Sequence, residues 1–179
     1  MDHTDHVNLL RPASLDKGGS WADLGAGSGA FTFALRELIG PTATIYAVDK
    51  DRSSLETLKS EYRARFETAE NLHLQVQDFS RPSSLPSLDG ILAANSLHYF
   101  KDRVKVLQHI KSFLKPNGKL IVIEYNVDSG NPWVPYPFSF VSFGKLALQA
   151  GFSEPQLLAR HPSQFLREFY SAMTFKTES

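Results

Sequence analysis

The chain has 179 residues, with 19 Lys and Arg against 19 Asp and Glu, and no cysteine. That length suits one domain, so we expect residues 1–179 to form a single domain that opens with a short N-terminal segment over 1–19. Without cysteine there is no disulfide, no thiolate nucleophile and no Cys-ligated metal. Zero net charge argues against nucleic acid as a partner. No apolar run approaches the ~20 residues of a membrane span, so we expect a cytoplasmic protein.

Strand-like and helix-like segments alternate along the chain. Short apolar or β-branched runs predict strands, and apolar residues at helical spacing predict helices. In chain order we predict strand 21–24, helix 31–39, strand 44–48, helix 52–66, strand 72–76, a Pro/Ser-rich loop or short helix over 83–87, strand 89–94, helix 102–114 capped by Asp102, a turn at 115–118, strand 119–125, helix 142–150, and strands 155–160 and 169–175.

The pattern of the strands indicates the type of sheet. Strands that are apolar throughout, such as 119–125, suit a parallel sheet covered by helices on both faces. The alternation of strands and helices therefore predicts a Rossmann-like, doubly wound α/β sheet. We expect the last two strands, 155–160 and 169–175, to form an antiparallel pair at one edge of that sheet.

The most informative segment is the glycine-rich turn after the first strand. Gly25 and Gly27 let the backbone approach a ligand, and the helix that follows offers free N–H groups. Because Gly25-x-Gly27-x-x-Ala30 also satisfies the dinucleotide fingerprint, an NAD(P)-dependent oxidoreductase is one interpretation. Asp49, at the end of the second strand, can accept hydrogen bonds from the ribose hydroxyls of NAD or of another nucleoside cofactor. Asp23 would face the diphosphate of NAD unfavourably, but it suits a cationic amino-acid group.

Ordered motifs along most of the chain carry a family resemblance. They are WADLGAGSG at 21–29, IYAVD at 45–49, QDF at 77–79, DGILAANSLHY at 89–99 and LKPNGKLIVIE at 114–124. In these motifs the sequence resembles class I S-adenosylmethionine-dependent methyltransferases, in particular the menaquinone/ubiquinone-biosynthesis type. The resemblance implies a seven-stranded sheet that is mostly parallel and has an antiparallel last strand, which agrees with the late segments.

The resemblance also implies S-adenosylmethionine as the cofactor and S-adenosylhomocysteine as its product, and it assigns nine residues to them. Gly25, Ala26 and Gly27 approach the methionine part, Asp23 and the backbone carbonyl of Asn95 face its ammonium, Asp49 binds the ribose hydroxyls, and Lys50, Asp78 and Phe79 lie at the adenine. Lys50 stands where many relatives carry an apolar residue. Structural alternatives are a helix N-cap for Asp49, a turn-closing role for Asp78, and plain packing for Asn95 and Phe79.

A methyl group on a sulfonium is already activated, so the enzyme must chiefly hold the acceptor in line at about 3 Å and exclude water. A base is needed only where the acceptor must lose a proton. The candidates near the end of the fourth strand are His98 and Tyr99, and His98 is favoured because its unperturbed pKa lies near neutrality. The structural alternative is a histidine that only packs against the loop. Glu124 and Tyr125, at the end of the fifth strand, are also expected to face the acceptor, and no metal site is predicted.

Exclusion favours a small-molecule acceptor. The chain has no cysteine for cytosine C5-methylation, and Asn95-Ser96-Leu97-His98 stands where adenine and glutamine N-methyltransferases carry Asn/Asp-Pro-Pro-Tyr/Phe. Segment 126–141 is rich in aromatic residues and proline, and it is a candidate apolar cover over the site. The alternatives for this segment are a cover over the sheet edge and a dimer contact.

Several alternatives stay open at this point. Because only about twenty residues precede the first strand, the site is either open, closed by the partner subunit of a homodimer, or built for a larger acceptor. Beside the oxidoreductase, the other functions are a non-catalytic binding module on the same fold and an RNA or protein methyltransferase.

Overall fold

The computed structural model describes residues 1–81 and 84–177, and in them strands and helices alternate along the chain. The strands are β1 Ser20–Leu24, β2 Thr44–Asp49, β3 Leu72–Val76, β4 Leu88–Ala94, β5 Leu114–Tyr125, β6 Gln156–Pro162 and β7 Glu168–Phe175. The helices are α1 His3–Leu10, α2 Ala30–Ile39, α3 Arg52–Phe66, α4 Arg103–Phe113 and α5 Phe140–Gln149, with 3₁₀ turns at Arg11–Ala13 and Leu97–Tyr99.

The strands form a seven-stranded sheet in the order β3-β2-β1-β4-β5-β7-β6. β1 pairs in parallel with β2 and β4, β2 with β3, and β4 with β5. β7 is antiparallel to both β5 and β6. The predicted doubly wound sheet, its antiparallel last strand and the late edge pair are therefore confirmed. The strand order reverses between β1 and β4, and open α/β sheets bind ligands at such a point, outside the carboxyl ends of the strands.

The hydrophobic core lies in two layers, one on each face of the sheet. Successive strand residues point to opposite faces, so in β5 Ile121 and Ile123 pack into one layer and Leu120 and Val122 into the other. The first layer contains the apolar faces of α1, α2 and α3, and the second those of α4 and α5. Strands covered on both faces explain why the central segments are apolar throughout.

The N-terminal segment contains a helix that the sequence did not predict. Asp2 caps α1 and forms a reciprocal capping box with Asp5, in which Asp5 N donates to Asp2 Oδ1 at 2.9 Å and Asp2 N to Asp5 Oδ2 at 2.8 Å. Its buried Val7, Leu9 and Leu10 join the first core layer. The segment therefore packs on the α2 side of the sheet.

The start of β5 differs from the prediction. Residues 115–118 were expected to form a turn, but they lie within β5, whose pairing with β4 jumps from Leu88–Leu114 to Gly90–Lys119. Asn117 adopts a φ of +58° in this irregularity, a conformation that asparagine tolerates better than most residues. The polar Lys-Pro-Asn-Gly pattern thus marks a bulge in the strand. In the predicted loop 83–87, residues 84–87 carry neither helix nor strand, and residue 83 lies outside the described residues.

Candidate functional site

A cleft opens at the carboxyl ends of β1 to β4, where the strand order reverses. Its volume of about 580 Å³ lies within the range of small-molecule sites. Six of the nine residues predicted to bind the cofactor line it: Gly25, Asp49, Lys50, Asp78, Phe79 and Asn95. Six further lining residues were not among the residues predicted to bind the cofactor: Asp51, Ser54, Gln77, Ser96, Tyr99 and Phe100. All six follow a strand end within a few positions, and Gln77, Ser96 and Tyr99 also lie within the motifs that carry the family resemblance.

The glycine loop approaches β4 closely. Gly25 has a φ of +81°, and a Cβ placed on it would lie 2.5 Å from Ser96 Cβ, a distance that side chains do not tolerate. Gly27 has a φ of +51° and no atom within 4 Å of such a Cβ. Gly25 N donates to Val48 O at 2.8 Å, which ties the loop to the end of β2. Glycine at position 25 is therefore required both by the backbone conformation and by the contact.

Asp49 lies between the glycine loop and α3. Its Oδ2 accepts from Gly27 N at 2.8 Å and its Oδ1 from Asp51 N at 2.9 Å. The N-cap of α3 is Asp51, whose carboxylate accepts from Ser53 N. The N-cap alternative for Asp49 is therefore wrong, and Asp49 lines the cleft with a carboxylate that fixes the glycine loop.

Asp78 closes a turn after β3. Its Oδ1 accepts from Ser80 N at 3.0 Å and from Ser80 Oγ at 2.6 Å, and the guanidinium Nε of Arg81 lies 3.5 Å from Oδ2. The hydrogen bond from the Ser80 hydroxyl is the main cause that holds the pKa of Asp78 below its usual value. The turn-closing alternative is thus present in the structure, and Asp78 lines the cleft at the same time.

Asp23 is predicted to face the ammonium, but the structure places it beneath the glycine loop. It alternates with Ala22 and Leu24 along β1, so its side chain enters the layer covered by α2. There it is 1% exposed and accepts from Thr32 Oγ1 at 2.6 Å. Burial raises the pKa of Asp23 to about 7, and the charge of Asp49 adds to this against the Thr32 hydrogen bond. Like Ala26 and Gly27, Asp23 is not among the residues that line the cleft.

The end of β4 carries two polar side chains whose atoms have no hydrogen-bond partner among the described residues. These atoms are Asn95 Oδ1 and Ser96 Oγ, both shielded from solvent. Asn95 has a φ of +52°, which is uncommon for a residue other than glycine. Buried polar atoms are nearly always paired. Two such atoms on consecutive lining residues indicate a place where a polar ligand supplies the partners.

His98 forms a buried pair with Glu124, 26 residues further along the chain. His98 Nδ1 lies 2.8 Å from Glu124 Oε2, and Glu124 Oε1 accepts from Leu97 N at 3.0 Å and His98 N at 3.3 Å. Because a carboxylate only accepts, the pair places the imidazole proton on Nδ1. His98 Nε2 has no partner in the described part of the chain. The His98 side chain is 3% exposed, so His98 lies behind the cleft lining.

Glu124 and Tyr125, the further candidates expected to face the acceptor, lie at the end of β5. Glu124 is fully buried and holds the 3₁₀ turn Leu97–Tyr99 through its backbone contacts. Burial raises the pKa of Tyr125, and the charge of Glu124 adds to this effect. A phenol with a raised pKa keeps its proton at neutral pH. His98 is therefore the only one of these three candidates with a free basic atom.

Hydrogen bonds hold the aromatic segment 126–141 beside the 3₁₀ turn Leu97–Tyr99. Tyr136 N donates to His98 O at 2.9 Å, and Arg103 Nη1 donates to Tyr136 O at 2.9 Å and Pro137 O at 3.1 Å. Trp133 remains 71% exposed and meets Phe165, itself 52% exposed, with ring centroids 6.4 Å apart. Phe138 is buried in the core. The segment thus exposes the Trp133 ring to solvent and buries the Phe138 ring in the core.

An aromatic surface connects this segment with the cleft. Tyr99 lines the cleft, and its ring centroid lies 4.3 Å from that of His98. The Tyr125 ring lies 6.1 Å from His98 and 6.0 Å from Phe165, which meets Trp133. We call Tyr99, Tyr125, Trp133 and Phe165 the aromatic wall.

A second, smaller cleft of about 340 Å³ lies at the amino ends of β1, β4 and β5. Four of its charged side chains form two ion pairs, Lys115 with Asp89 at 2.8 Å and Lys119 with Asp16 at 3.0 Å, and Lys17 Nζ donates to Leu38 O at 2.6 Å. Across residues 1–81 and 84–177, no cluster of three or more His, Asp or Glu side chains is arranged to hold a metal ion. None of the helices in that part of the chain is long and apolar enough to cross a membrane.

The sheet order, the antiparallel β7 and the cleft at the carboxyl ends of β1 to β4 define a class I S-adenosylmethionine-dependent methyltransferase fold. A family model described as "Methyltransferase domain" matches residues 15–148. The chain therefore belongs to the methyltransferase domain family.

Curated proteins to which the chain is similar are described as methyltransferases. A demethylmenaquinone methyltransferase from Lactobacillus johnsonii is 28% identical over 156 residues, which cover 84% of this chain and 63% of the relative. A demethylmenaquinone methyltransferase from Lactococcus lactis is 32% identical over 108 residues, covering 60% of this chain and 42% of the relative. The chain spans about half the length of the curated relatives it matches.

Solved structures share the fold at low sequence identity. The YcgJ protein from Bacillus subtilis has a TM-score of 0.79 at 14% identity, covering 99% of this chain and 100% of that protein. Human N-acetylserotonin methyltransferase, solved in complex with SAM, has a TM-score of 0.72 at 22% identity, covering 97% of this chain and 52% of that enzyme. At these identities the likeness shows the fold alone.

Proposed function

We propose that the protein transfers a methyl group from S-adenosylmethionine to a small, apolar acceptor molecule by in-line displacement, and that residues 1–179 act as one methyltransferase domain. The observation that carries the proposal is the cleft at the carboxyl ends of β1 to β4, which gathers most of the residues expected at the cofactor. The demethylmenaquinone and UbiE-type relatives support a small-molecule acceptor.

The order of the strand ends supports the orientation of the cofactor. The sheet runs β3, β2, β1, β4, so Asp78, Asp49, Gly25 and Asn95 follow one another along the cleft. In the proposed arrangement Asp78 and Phe79 bind the adenine, with the methylenes of Lys50 beside it, and Asp49 binds the ribose. The backbone at Gly25, Ala26 and Gly27 and the carbonyl of Asn95 hold the methionine part.

The chemistry of the cleft fits S-adenosylmethionine. Where β1 meets β4, Gly25 leaves room that a Cβ would fill, and Asn95 at the end of β4 has an Oδ1 without a partner among residues 1–81 and 84–177. Asp23 contributes from below the loop when it is ionised, and the ammonium of the cofactor would stabilise that ionised form. The bound cofactor supplies a methyl group on a positively charged sulfur.

The chain's own residues would position the acceptor and accept its proton. We propose that the acceptor lies along the aromatic wall, on the side of the cleft next to Asn95, with segment 126–141 excluding water from it. Where the acceptor loses a proton, His98 Nε2 accepts it, and Glu124 keeps the other imidazole proton on Nδ1. Because His98 is covered in the structure, this role requires the acceptor to displace the residues over it.

The aromatic wall supports an apolar acceptor. Large exposed aromatic side chains at the edge of a cleft are costly in water and are typical of ligand surfaces. A flat acceptor ring would cover Trp133 and Phe165 by stacking. A homodimer in which a partner subunit covers Trp133 is the alternative for this surface, and a concentration series in analytical ultracentrifugation distinguishes the two.

Calorimetric titration with S-adenosylmethionine, S-adenosylhomocysteine, NAD and NADP tests the cofactor. We expect micromolar binding of the first two alone, and binding of NAD or NADP alone would make the protein an oxidoreductase. Cofactor binding without turnover across a broad acceptor panel would make it a binding module. Acceptor binding that collapses with added salt would indicate RNA. Cytoplasmic location belongs to the same proposal, and cell fractionation tests it.

A further inference from the structure

The Ser96 hydroxyl is a buried polar group in the cleft to which the proposed function gives no role. Ser96 is 5% exposed, and its Oγ has no hydrogen-bond partner among the described residues. Leaving a buried hydroxyl without a hydrogen-bond partner destabilises a protein, and most buried polar groups are paired. Ser96 lines the cleft, so a ligand in the cleft can supply the missing partner.

The position of Ser96 identifies which part of a ligand it meets. It follows the end of β4, two strands from Asp49 on β2 and three from β3, which Asp78 follows. The glycine loop reaches it, since a Cβ on Gly25 would lie 3.2 Å from Ser96 Oγ. A cofactor with its ribose at Asp49 therefore brings its amino-acid end, not its base, to Ser96.

The two unpaired atoms at this end differ in their chemistry. Asn95 Oδ1 is an amide oxygen and only accepts, whereas the Ser96 hydroxyl can donate. An α-amino acid presents both complements, an ammonium that donates and a carboxylate that accepts. Resting on the proposed function, we propose that Ser96 is a cofactor-binding residue whose hydroxyl donates a hydrogen bond to the carboxylate of S-adenosylmethionine.

The test compares ligands that differ only at the amino-acid end. Calorimetry measures the affinities for S-adenosylhomocysteine, for its decarboxylated form and for 5′-methylthioadenosine, which lacks the amino acid altogether. In Ser96→Ala we expect about tenfold weaker binding of S-adenosylhomocysteine, as for the loss of a hydrogen bond to a charged group. The affinities of the other two ligands stay within twofold of wild type.

Ser171→Ala is the matched control. Ser171 is a fully buried serine whose Oγ also has no partner in the described part of the chain, but it lies on β7 opposite Ile123 and not on the cleft. We expect this variant to bind all three ligands like wild type. Thermal unfolding of each variant identifies losses of binding that come from misfolding.

The outcomes separate the two proposals. Wild type that binds all three ligands, with an unchanged affinity of Ser96→Ala for S-adenosylhomocysteine, overturns the role of Ser96 and leaves the proposed function standing. Equal losses for all three ligands in Ser96→Ala make the hydroxyl a structural group and overturn the inference too. Should Ser96→Ala fail to fold, wild type alone decides, since equal binding with and without the carboxylate excludes a carboxylate contact. Wild type that binds none of the ligands overturns the proposed function and the inference together.

Discussion

The contact between Gly25 and Ser96 makes a quantitative prediction about the glycine loop. Gly25→Ala places a side chain at a φ of +81° and 2.5 Å from Ser96 Cβ. The left-handed conformation costs an L-residue about 1–2 kcal/mol, and relieving a close contact in a packed site costs about 1–3 kcal/mol. We expect the free energy of unfolding to fall by about 2–5 kcal/mol.

Gly27→Ala is the control within the same loop. Gly27 also has a positive φ, but nothing lies within 4 Å of the added Cβ. Its cost is therefore the conformational part alone, about 1–2 kcal/mol, partly offset by the lower entropy of the unfolded chain. The difference between the two variants isolates the contact with Ser96.

Urea unfolding of both variants measures these free energies, and calorimetric titration with S-adenosylhomocysteine measures the affinity of the cleft for the ligand. Because Ser96 must move to relieve the contact, we expect Gly25→Ala to bind the ligand more weakly than Gly27→Ala. Equal stabilities of the two variants would refute the packing argument. A destabilised Gly25→Ala that binds like Gly27→Ala would show that the Ser96 side of the cleft does not bind the ligand.

Three further variants test the other groups of the site. Asp49→Ala should weaken S-adenosylmethionine binding by about 1–3 kcal/mol, the cost of losing a charged hydrogen-bond partner, and unchanged calorimetric affinity in the folded variant would exclude the ribose role. His98→Ala should leave S-adenosylmethionine binding intact and lower turnover, and an unaltered pH–rate profile would remove His98 from the mechanism. Folding keeps a proton on Asp23, whose pKa rises from 3.8 to about 7, while the unfolded chain releases it near pH 4. Asp23 therefore costs stability progressively as the pH rises from 4 to 7, by roughly 4 kcal/mol in all. Asp23→Asn should gain stability over wild type across that range in urea unfolding, and parallel curves for the two proteins would contradict the raised pKa.

The sheet was predictable because its signals are local. Apolar runs, helical spacing and the Asp102 cap each depend on neighbours in the sequence, and β3 and α3 begin and end as predicted. The missed features are of two kinds. The capping box of α1 is a local signal in Asp2 and Asp5, but the segment before β1 is short and was not expected to form a helix. The bulge at 115–118 depends on pairing with β4, which no local pattern specifies.

The site was predictable only as far as topology places it. Parallel strands bring their carboxyl ends to one edge, which is why Asp49, Asp78 and Asn95 meet at the cleft. What each group pairs with depends on distant contacts. The His98–Glu124 pair joins residues 26 positions apart, and the burial of Asp23 follows from the α2 layer above it. A sequence motif therefore predicts the position of such residues but not their protonation or exposure.

The 3₁₀ turn Leu97–Tyr99 determines how the two halves of the proposed site face each other. It begins where Asn95 and Ser96 line the cleft, and Glu124 holds its backbone through Leu97 N and His98 N. On its other side, Tyr136 binds His98 O and brings segment 126–141 against it. Because one buried carboxylate fixes the turn, the cofactor cleft and the aromatic wall keep a defined geometry. In-line transfer depends on such a geometry, since a small misplacement of the acceptor is costly.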